Sequence, residues 1–218
     1  MRLLDPDQDG FWDALHDSQG KRLIVADWIS SDGTEFRKVS VEPVALTFSI
    51  ERSTGFAMDR IEHDPSFSKI LSRIQSIYER FKLSKLQRAG IRFYYMPPAF
   101  SPEASSFDIF RKQISEDLTT DFEKHFGAVK DVGISYEGGH EDGVSYNFRA
   151  GPYFARENKK YVEKIGDKLE SENIQSIFDI DLYETDFVMG VRVLPWVKDQ
   201  ISRFRMGIVS IEKLLSKV

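Results

Sequence analysis

Residues 79–95, ERFKLSKLQRAGIRFYY, decide the fold because they leave an amphipathic helix and enter a strand within a few positions. Residues 123–137, EKHFGAVKDVGISYE, repeat that passage. In each segment the apolar stripe of a helix ends at a phenylalanine, Phe81 or Phe126. A strand then begins around a glycine–isoleucine pair, with an aromatic residue two positions after the isoleucine. Amphipathic helices that alternate with half-buried strands predict an α+β fold, with helices packed on one face of an antiparallel sheet.

The likeness of these two segments leaves two explanations open. A diverged duplication would give two α/β half-repeats, 9–96 and 103–218. Any passage from a helix to a strand can also look alike over five residues, without a common origin. A length of 218 residues is typical of one domain, so the predicted organisation is a single domain over 1–218.

Two or three long amphipathic helices are predicted. The clearest begins at Pro65 with Asp64 as its N-cap, and its apolar residues recur every three or four positions at Phe67, Ile70, Leu71, Ile74, Ile77, Tyr78 and Phe81. A second begins near Pro102 and ends before Gly127, with an apolar stripe at Phe107, Phe110, Ile114, Leu118, Phe122 and Phe126. The C-terminal helix carries a heptad-like stripe at Val197, Ile201, Phe204, Ile208, Ile211 and Leu215.

The remaining elements are predicted from alternation and turn residues. Strands are expected at 21–30, 35–51 with a kink at Pro43, 86–96 and 176–187, and a hairpin joins 129–137 to 144–151. A short helix is expected over 9–16, and 155–173 is expected to be a loop or a short exposed helix.

Composition excludes several classes of protein. There is no cysteine, which rules out disulfides, thiolate nucleophiles and zinc sites with sulfur ligands. No apolar run approaches the roughly 20 residues of a membrane helix, and MRLLDPDQDG lacks the apolar core of a signal peptide. We therefore expect a cytoplasmic protein without membrane contact. No phosphate-binding loop or nucleophile elbow occurs, so no cofactor is expected and an enzyme is disfavoured.

Two short motifs resemble a sporadically distributed family of uncharacterised bacterial proteins. The first is the strand core Gly90, Ile91, Arg92 and Phe93, and the second is the strand Phe178, Asp179, Ile180 and Asp181 ahead of the C-terminal helix. This chain lacks the family's usual N-terminal strand and has Phe178 where leucine is typical. The resemblance implies no activity.

A basic segment stands out in a chain whose net charge is -5. Residues 68–92 hold seven cations against one anion, Glu79, and the cations are Lys69, Arg73, Arg80, Lys82, Lys85, Arg88 and Arg92. Aromatic residues follow at 93–95, which faintly resembles an RNA-recognition strand. The segment is a candidate site for nucleic acid or for an acidic protein partner, although a charge run is more often an ordinary solvated helix face.

Carboxylates give two candidate metal sites. Asp179 and Asp181 lie two residues apart on a predicted strand, so both point to one face and could hold Mg²⁺. The alternative is that both aspartates simply face water while Phe178, Ile180 and Leu182 face the core.

The N-terminal segment DPDQDG begins like a calcium-binding loop, with candidate ligands at Asp5, Asp7, Asp9 and Asp13. The twelfth position should be a bidentate glutamate and is His16 instead. We therefore interpret the segment as an acidic helix start capped by Asp9, without a metal.

The sequence alone favours a non-enzymatic protein–protein interaction component of a bacterial assembly. The alternative is a protein that binds or processes nucleic acid through the basic segment 69–92. A homodimer through the stripe of the C-terminal helix is also predicted, although such a stripe more often packs on its own sheet.

Overall fold

The structure, a computed structural model, describes residues 14–18, 23–41, 45–97, 110, 116–129, 132–153, 162, 174, 176–188 and 192–215. Two compact units make up the chain, residues 1–81 with 158–170 and residues 82–157 with 171–218. Each unit holds one four-stranded antiparallel sheet and at least one long helix, so the predicted α+β class is confirmed. Compactness does not establish that either unit folds alone, so the single domain and the half-repeats stay predictions.

The first unit is built on four strands that pair in chain order: β1 (Ala14–Ser18), β2 (Leu23–Ile29), β3 (Glu35–Val41) and β4 (Leu46–Arg52). The predicted turn after β2 is present, and Gly33 adopts the left-handed conformation there, with a φ of 70°. Hydrogen bonds from Ser30 and Thr34 lower the pKa of Asp32 in this turn to about 2.

Two sequence predictions are wrong in this sheet. The helix predicted over 9–16 is contradicted at residues 14–16, which belong to β1 and pair with β2, whereas Asp9 lies outside the described residues. Pairing along β2 outweighs the weak helical preference of so short a segment. The strand predicted over 35–51 is two strands, because β3 and β4 are antiparallel partners and the chain reverses between Val41 and Leu46. Proline has no N–H to continue a ladder, which disfavours one strand running through this part of the sequence. Pro43 itself lies outside the described residues.

Helix α1 (Pro65–Phe81) begins at its predicted position, after a short 3-10 helix at Met58–His63. Asp64 caps it: its Oδ1 accepts the backbone N–H groups of Ser66 at 3.0 Å and Phe67 at 3.1 Å. The predicted apolar face is buried at Phe67 and Ile70, becomes half-buried farther on, and is exposed at Phe81.

The second unit contains β5 (Lys85–Tyr95), β6 (Ile134–Gly139), β7 (Val144–Pro152) and β8 (Ser176–Val188), in the spatial order β5-β8-β7-β6. The predicted hairpin is β6 and β7, and its turn places Gly143 at a φ of 90°. Helix α2 (Glu116–Phe126) ends at Gly127 as predicted, with a φ of 89° and a backbone hydrogen bond of 3.1 Å to Glu123. Helix α3 (Val193–Leu215) is the longest of the elements that the structure describes.

Helix α3 packs on the apolar face of the second sheet. The rings of Phe93 and Phe204 stack with centroids 4.1 Å apart, and Tyr95 donates a hydrogen bond of 3.0 Å to Glu212. Burial and this bond raise the pKa of Tyr95 to about 12. The predicted stripe is buried at Val197, Ile201, Phe204, Ile208 and Ile211. These side chains therefore belong to the core of the unit and are not available to a second copy.

Other predictions fall on residues that the structure leaves undescribed, among them Asp5, Asp7, Asp9 and Asp13, nearly all of 155–173, and the first part of the second predicted helix. Within the described ranges, no helix is both long and apolar enough to cross a membrane.

Candidate functional site

The second sheet has one polar face, formed by every other residue of its strands. Alternation along antiparallel partners puts directly opposed residues on the same face. The register opposes Arg92 to Asp181 and Tyr94 to Asp179, so these four side chains share a face. We define the polar face by these four residues together with Arg88, Gly90, Asn147, Arg149 and Tyr183. It contains the predicted carboxylate pair and two of the predicted cations.

The strongest interaction on the polar face joins Arg92 to Asp179. The guanidinium binds the carboxylate through two nitrogens, with Nε to Oδ1 at 2.7 Å and Nη2 to Oδ2 at 2.5 Å. The hydrogen bond to Asp179 raises the pKa of Arg92, and burial opposes that rise. Asp179 is only 9% exposed, and an arginine that reaches it with two bonds satisfies both carboxylate oxygens.

A second ion pair lies beside the first. Arg88 donates from Nη2 to Asp181 at 2.5 Å, and its guanidinium carbon lies 4.1 Å from the ring centroid of Tyr183. Gly90 separates the two arginines on β5, and a Cβ there would lie 3.3 Å from the Cβ of Tyr183. The formal charges of the two arginines and two aspartates cancel, so this part of the face is polar without a net charge.

The predicted basic segment is distributed over both units. Lys69, Arg73 and Arg80 lie on α1, Lys82 follows that helix with a φ of 51°, and Lys85, Arg88 and Arg92 lie on β5. All three cations on β5 pair with carboxylates of β8, since Lys85 binds Asp186 at 2.8 Å. The structure therefore brings the two candidate sets together as ion pairs, which the sequence pattern did not indicate.

The candidate metal ligands Asp179 and Asp181 do share a face, as predicted. Each accepts hydrogen bonds from an arginine, and Asp179 uses both oxygens. Among the residues that the structure describes, no three His, Asp or Glu side chains are grouped so that they could hold a metal ion.

A charged network in the first unit was missed by sequence reasoning. Arg52 binds Glu35 through Nε at 2.8 Å and Asp64 through Nη1 at 2.5 Å, while Ser66 Oγ donates to Glu35 at 2.7 Å. Burial alone would raise the pKa of Glu35 and of Asp64, but these hydrogen bonds outweigh it and both values are lowered. Glu35 and Arg52 are partners across β3 and β4, and a sequence interpreted as one strand could not place them opposite each other.

A shallow cavity of about 290 Å³ adjoins this network in the first unit. Arg52 and Asp64 line it together with Phe56, Ala57, Arg60, Ile61 and His63. Arg52 is already engaged by two carboxylates, and its guanidinium lies over the ring of Phe56 at 4.5 Å. The wall of the cavity is therefore ion-paired, and the bonds from Arg52 to Asp64 link β4 to the start of α1.

Exposed aromatic side chains on α2 form a second feature that the sequence did not reveal. Phe122 is 52% exposed and Phe126 is 80% exposed, although their spacing predicted burial. Their ring centroids are 5.4 Å apart, and the imidazole of His125 lies against Phe126. We call Phe122 and Phe126 the aromatic pair.

Comparison with known proteins finds no match: no family model, no curated protein and no solved structure matches this chain. Membership of the bacterial family indicated by Gly90–Phe93 and Phe178–Asp181 stays a prediction.

Proposed function

We propose that this protein is a non-enzymatic, cytoplasmic protein–protein interaction component of a bacterial assembly. The observation that carries the proposal is the aromatic pair, because two phenylalanine rings on one helix remain largely in contact with water. Aromatic side chains, phenylalanine among them, are enriched at the cores of protein interfaces. Burying them against a partner would remove apolar surface from water.

The aromatic pair sits on an ordered helix end. Gly127 closes α2 with its backbone hydrogen bond, and the carboxylate of Glu123 accepts the N–H of Val129 at 3.3 Å just beyond it. A fixed helix end costs a partner little ordering entropy, and this favours binding.

The charge around the aromatic pair defines the chemistry of the partner. Two acidic residues, Asp121 and Glu123, neighbour the rings on α2, against one lysine, Lys124. Acidic residues next to exposed rings are complemented by an apolar pocket with a basic rim. The proposed partner is therefore a protein surface of that kind.

A binding experiment with matched variants tests the proposal. Partners captured from the native host by the wild-type protein are identified, purified and titrated against the double variant Phe122→Ser, Phe126→Ser. Loss of two central aromatic contacts should weaken binding by at least about 100-fold, which corresponds to about 2.7 kcal/mol. The matched control is Lys124→Ala on the same helix, where only an exposed pair with Asp121 is lost.

Two results would contradict this proposal. One is unchanged affinity of the purified partner for the double variant while the thermal unfolding curve stays that of the wild type. The other is steady turnover of a substrate that disappears in Asp179→Ala and Asp181→Ala variants, which would make the protein an enzyme.

Nucleic-acid binding is the second candidate function, and one observation favours it. The half-exposed guanidinium groups of Arg88 and Arg92 share the polar face with the exposed ring of Tyr94. Arginines and aromatic rings on a sheet face are what single-stranded nucleic acids stack against. Fluorescence anisotropy with a single-stranded oligonucleotide should then show binding that weakens between 50 and 200 mM salt and is lost in Arg88→Ala, Arg92→Ala. Salt-independent binding would exclude phosphate contacts.

A further inference from the structure

Helix α3 carries a second stripe on the side opposite its buried one. This stripe consists of five exposed residues that are spaced three and four apart: Asp199, Ser202, Met206, Val209 and Lys213. We call these five residues the outer stripe. Met206 is 62% exposed and Val209 is 48% exposed, so the middle of the stripe is apolar and its two ends carry opposite charges. This spacing is the one that pairs helices with each other.

We propose that the outer stripe binds the outer stripe of a second copy of this chain, with the two helices antiparallel and a two-fold axis at Met206. Antiparallel helices bring residues equally distant from the axis to the same height. Met206 then meets Met206 of the second copy, and Val209 lies within one residue step, about 1.5 Å, of the height of Ser202 of the second copy. Asp199 lies seven residues before Met206 and Lys213 lies seven after it, so each aspartate meets a lysine of the second copy.

Charge complementarity selects this orientation. In a parallel pair, Asp199 would face Asp199 of the second copy and Lys213 would face Lys213 of the second copy. Like charges that face each other across an interface disfavour association. The antiparallel pair makes two opposite-charge contacts by symmetry. Gly207 flanks the axis. Apart from its chain neighbours and the backbone of its own helix, no atom lies within 4 Å of where its Cβ would be, which leaves room for a close helix approach.

The interface is small. The outer stripe covers 14 steps of the helix, or roughly 21 Å at about 1.5 Å per residue. A contact of that length buries less area than a stable dimer needs, so the association is weak and depends on concentration. The proposed dimer interface contains neither Phe122 nor Phe126, so it is independent of the proposed function.

Disulfide trapping tests the position of the axis, since the chain contains no cysteine of its own. Met206→Cys places two thiols face to face on the axis and should form a cross-linked dimer under mild oxidation. Val209→Cys is the matched control: its two thiols would lie roughly 9 Å apart along the helices, so it should stay monomeric. Equal cross-linking of both variants would indicate a parallel pair, and cross-linking of neither would exclude the interface; either result overturns the proposal.

Charge reversal tests the pairing itself. Asp199→Lys should weaken dimerisation in sedimentation equilibrium by roughly tenfold, because two exposed attractive pairs become repulsive. The double variant Asp199→Lys, Lys213→Asp should restore it, since the opposite-charge contacts are rebuilt with the signs exchanged. Circular dichroism confirms that both variants are folded. A double variant that dimerises no better than Asp199→Lys would contradict the pairing.

Discussion

Single residues decide how the charges of the second unit are neutralised. Asp179 lies in β8, which has a partner strand on both sides, and it receives both of its arginine hydrogen bonds from Arg92. Asp181 is more exposed and binds Arg88 through one nitrogen. A buried carboxylate without its partner is much less stable than one that water can reach, so the two ion pairs should respond differently to mutation.

Replacing Arg92 should therefore cost more than replacing Arg88. We expect Arg92→Leu to reduce the free energy of unfolding by about 2–3 kcal/mol, because Asp179 stays buried and unpaired. Arg88→Leu should cost less than about 1 kcal/mol. Urea unfolding measures the free energy of unfolding of both variants. The double variant Arg92→Leu, Asp179→Leu should recover much of the stability that Arg92→Leu loses. Equal losses from both single variants would show that burial of Asp179 does not govern the pair.

The Glu35–Arg52–Asp64 network makes the stability of the first unit depend on pH. The pKa values of Glu35 and Asp64 are lowered in the folded state. The stabilisation is therefore complete above the unfolded values of about 4 and is lost as the pH falls through the lower folded values. We expect Arg52→Met to cost about 2 kcal/mol at pH 7. Urea midpoints of the variant and the wild type should approach each other as the pH falls below about 4, and a difference that does not shrink there would contradict this account.

At the scale of elements, helix α1 depends on a residue with two roles. Asp64 accepts two backbone N–H groups of the first turn and also binds Arg52. The capping role needs only a side-chain oxygen, whereas the ion pair needs a charge. Asparagine and alanine at this position separate the two roles.

We expect Asp64→Ala to be less stable than Asp64→Asn by about 1 kcal/mol, because asparagine keeps the capping oxygen and alanine does not. Both variants lose the ion pair with Arg52, so that loss cancels in the comparison. Thermal or urea unfolding measures the difference. Asp59→Ala is the control, since the exposed Asp59 makes only a long contact of 3.4 Å with Arg60. Equal stability of the two Asp64 variants would mean that the cap contributes nothing.

At the scale of the whole molecule, each of the two compact units has an antiparallel sheet and buried side chains of its own. The most buried side chains of the first unit include Phe36, Val39 and Ile61, and those of the second include Phe178 and Phe187. In the second sheet β8 and β7 are central strands, and β5 and β6 are the outer strands of the four.

Hydrogen exchange should follow this topology. We expect the amides of Phe178, Ile180 and Leu182 in β8 to exchange most slowly in the second unit, because opening them disrupts two strand pairs. Amides of β6, which pairs on one side within the sheet, should exchange faster. Exchange measured by mass spectrometry or NMR checks this order, and faster exchange in β8 than in β6 would contradict the strand order.

The sequence by itself determined the local elements of this protein. The stripe and cap of α1, the β6–β7 hairpin, the strand β8 and the end of α2 at Gly127 follow from periodicity and turn residues, and the structure has them all. These features depend on neighbours within a few residues, which is why a pattern can predict them. The α+β class follows from the same elements.

Tertiary structure alone decided the strand pairing and, with it, the candidate sites. The basic segment 69–92, which ends on β5, indicated a site for nucleic acid or an acidic partner, and a pattern on β8 indicated a metal site. The strand register instead joins Arg88 to Asp181 and Arg92 to Asp179. Pairing between residues 93 and 87 positions apart leaves no periodic signal in the chain. The exposure of Phe122 and Phe126 was equally hidden, because helical spacing shows which side chains share a face but not what covers it.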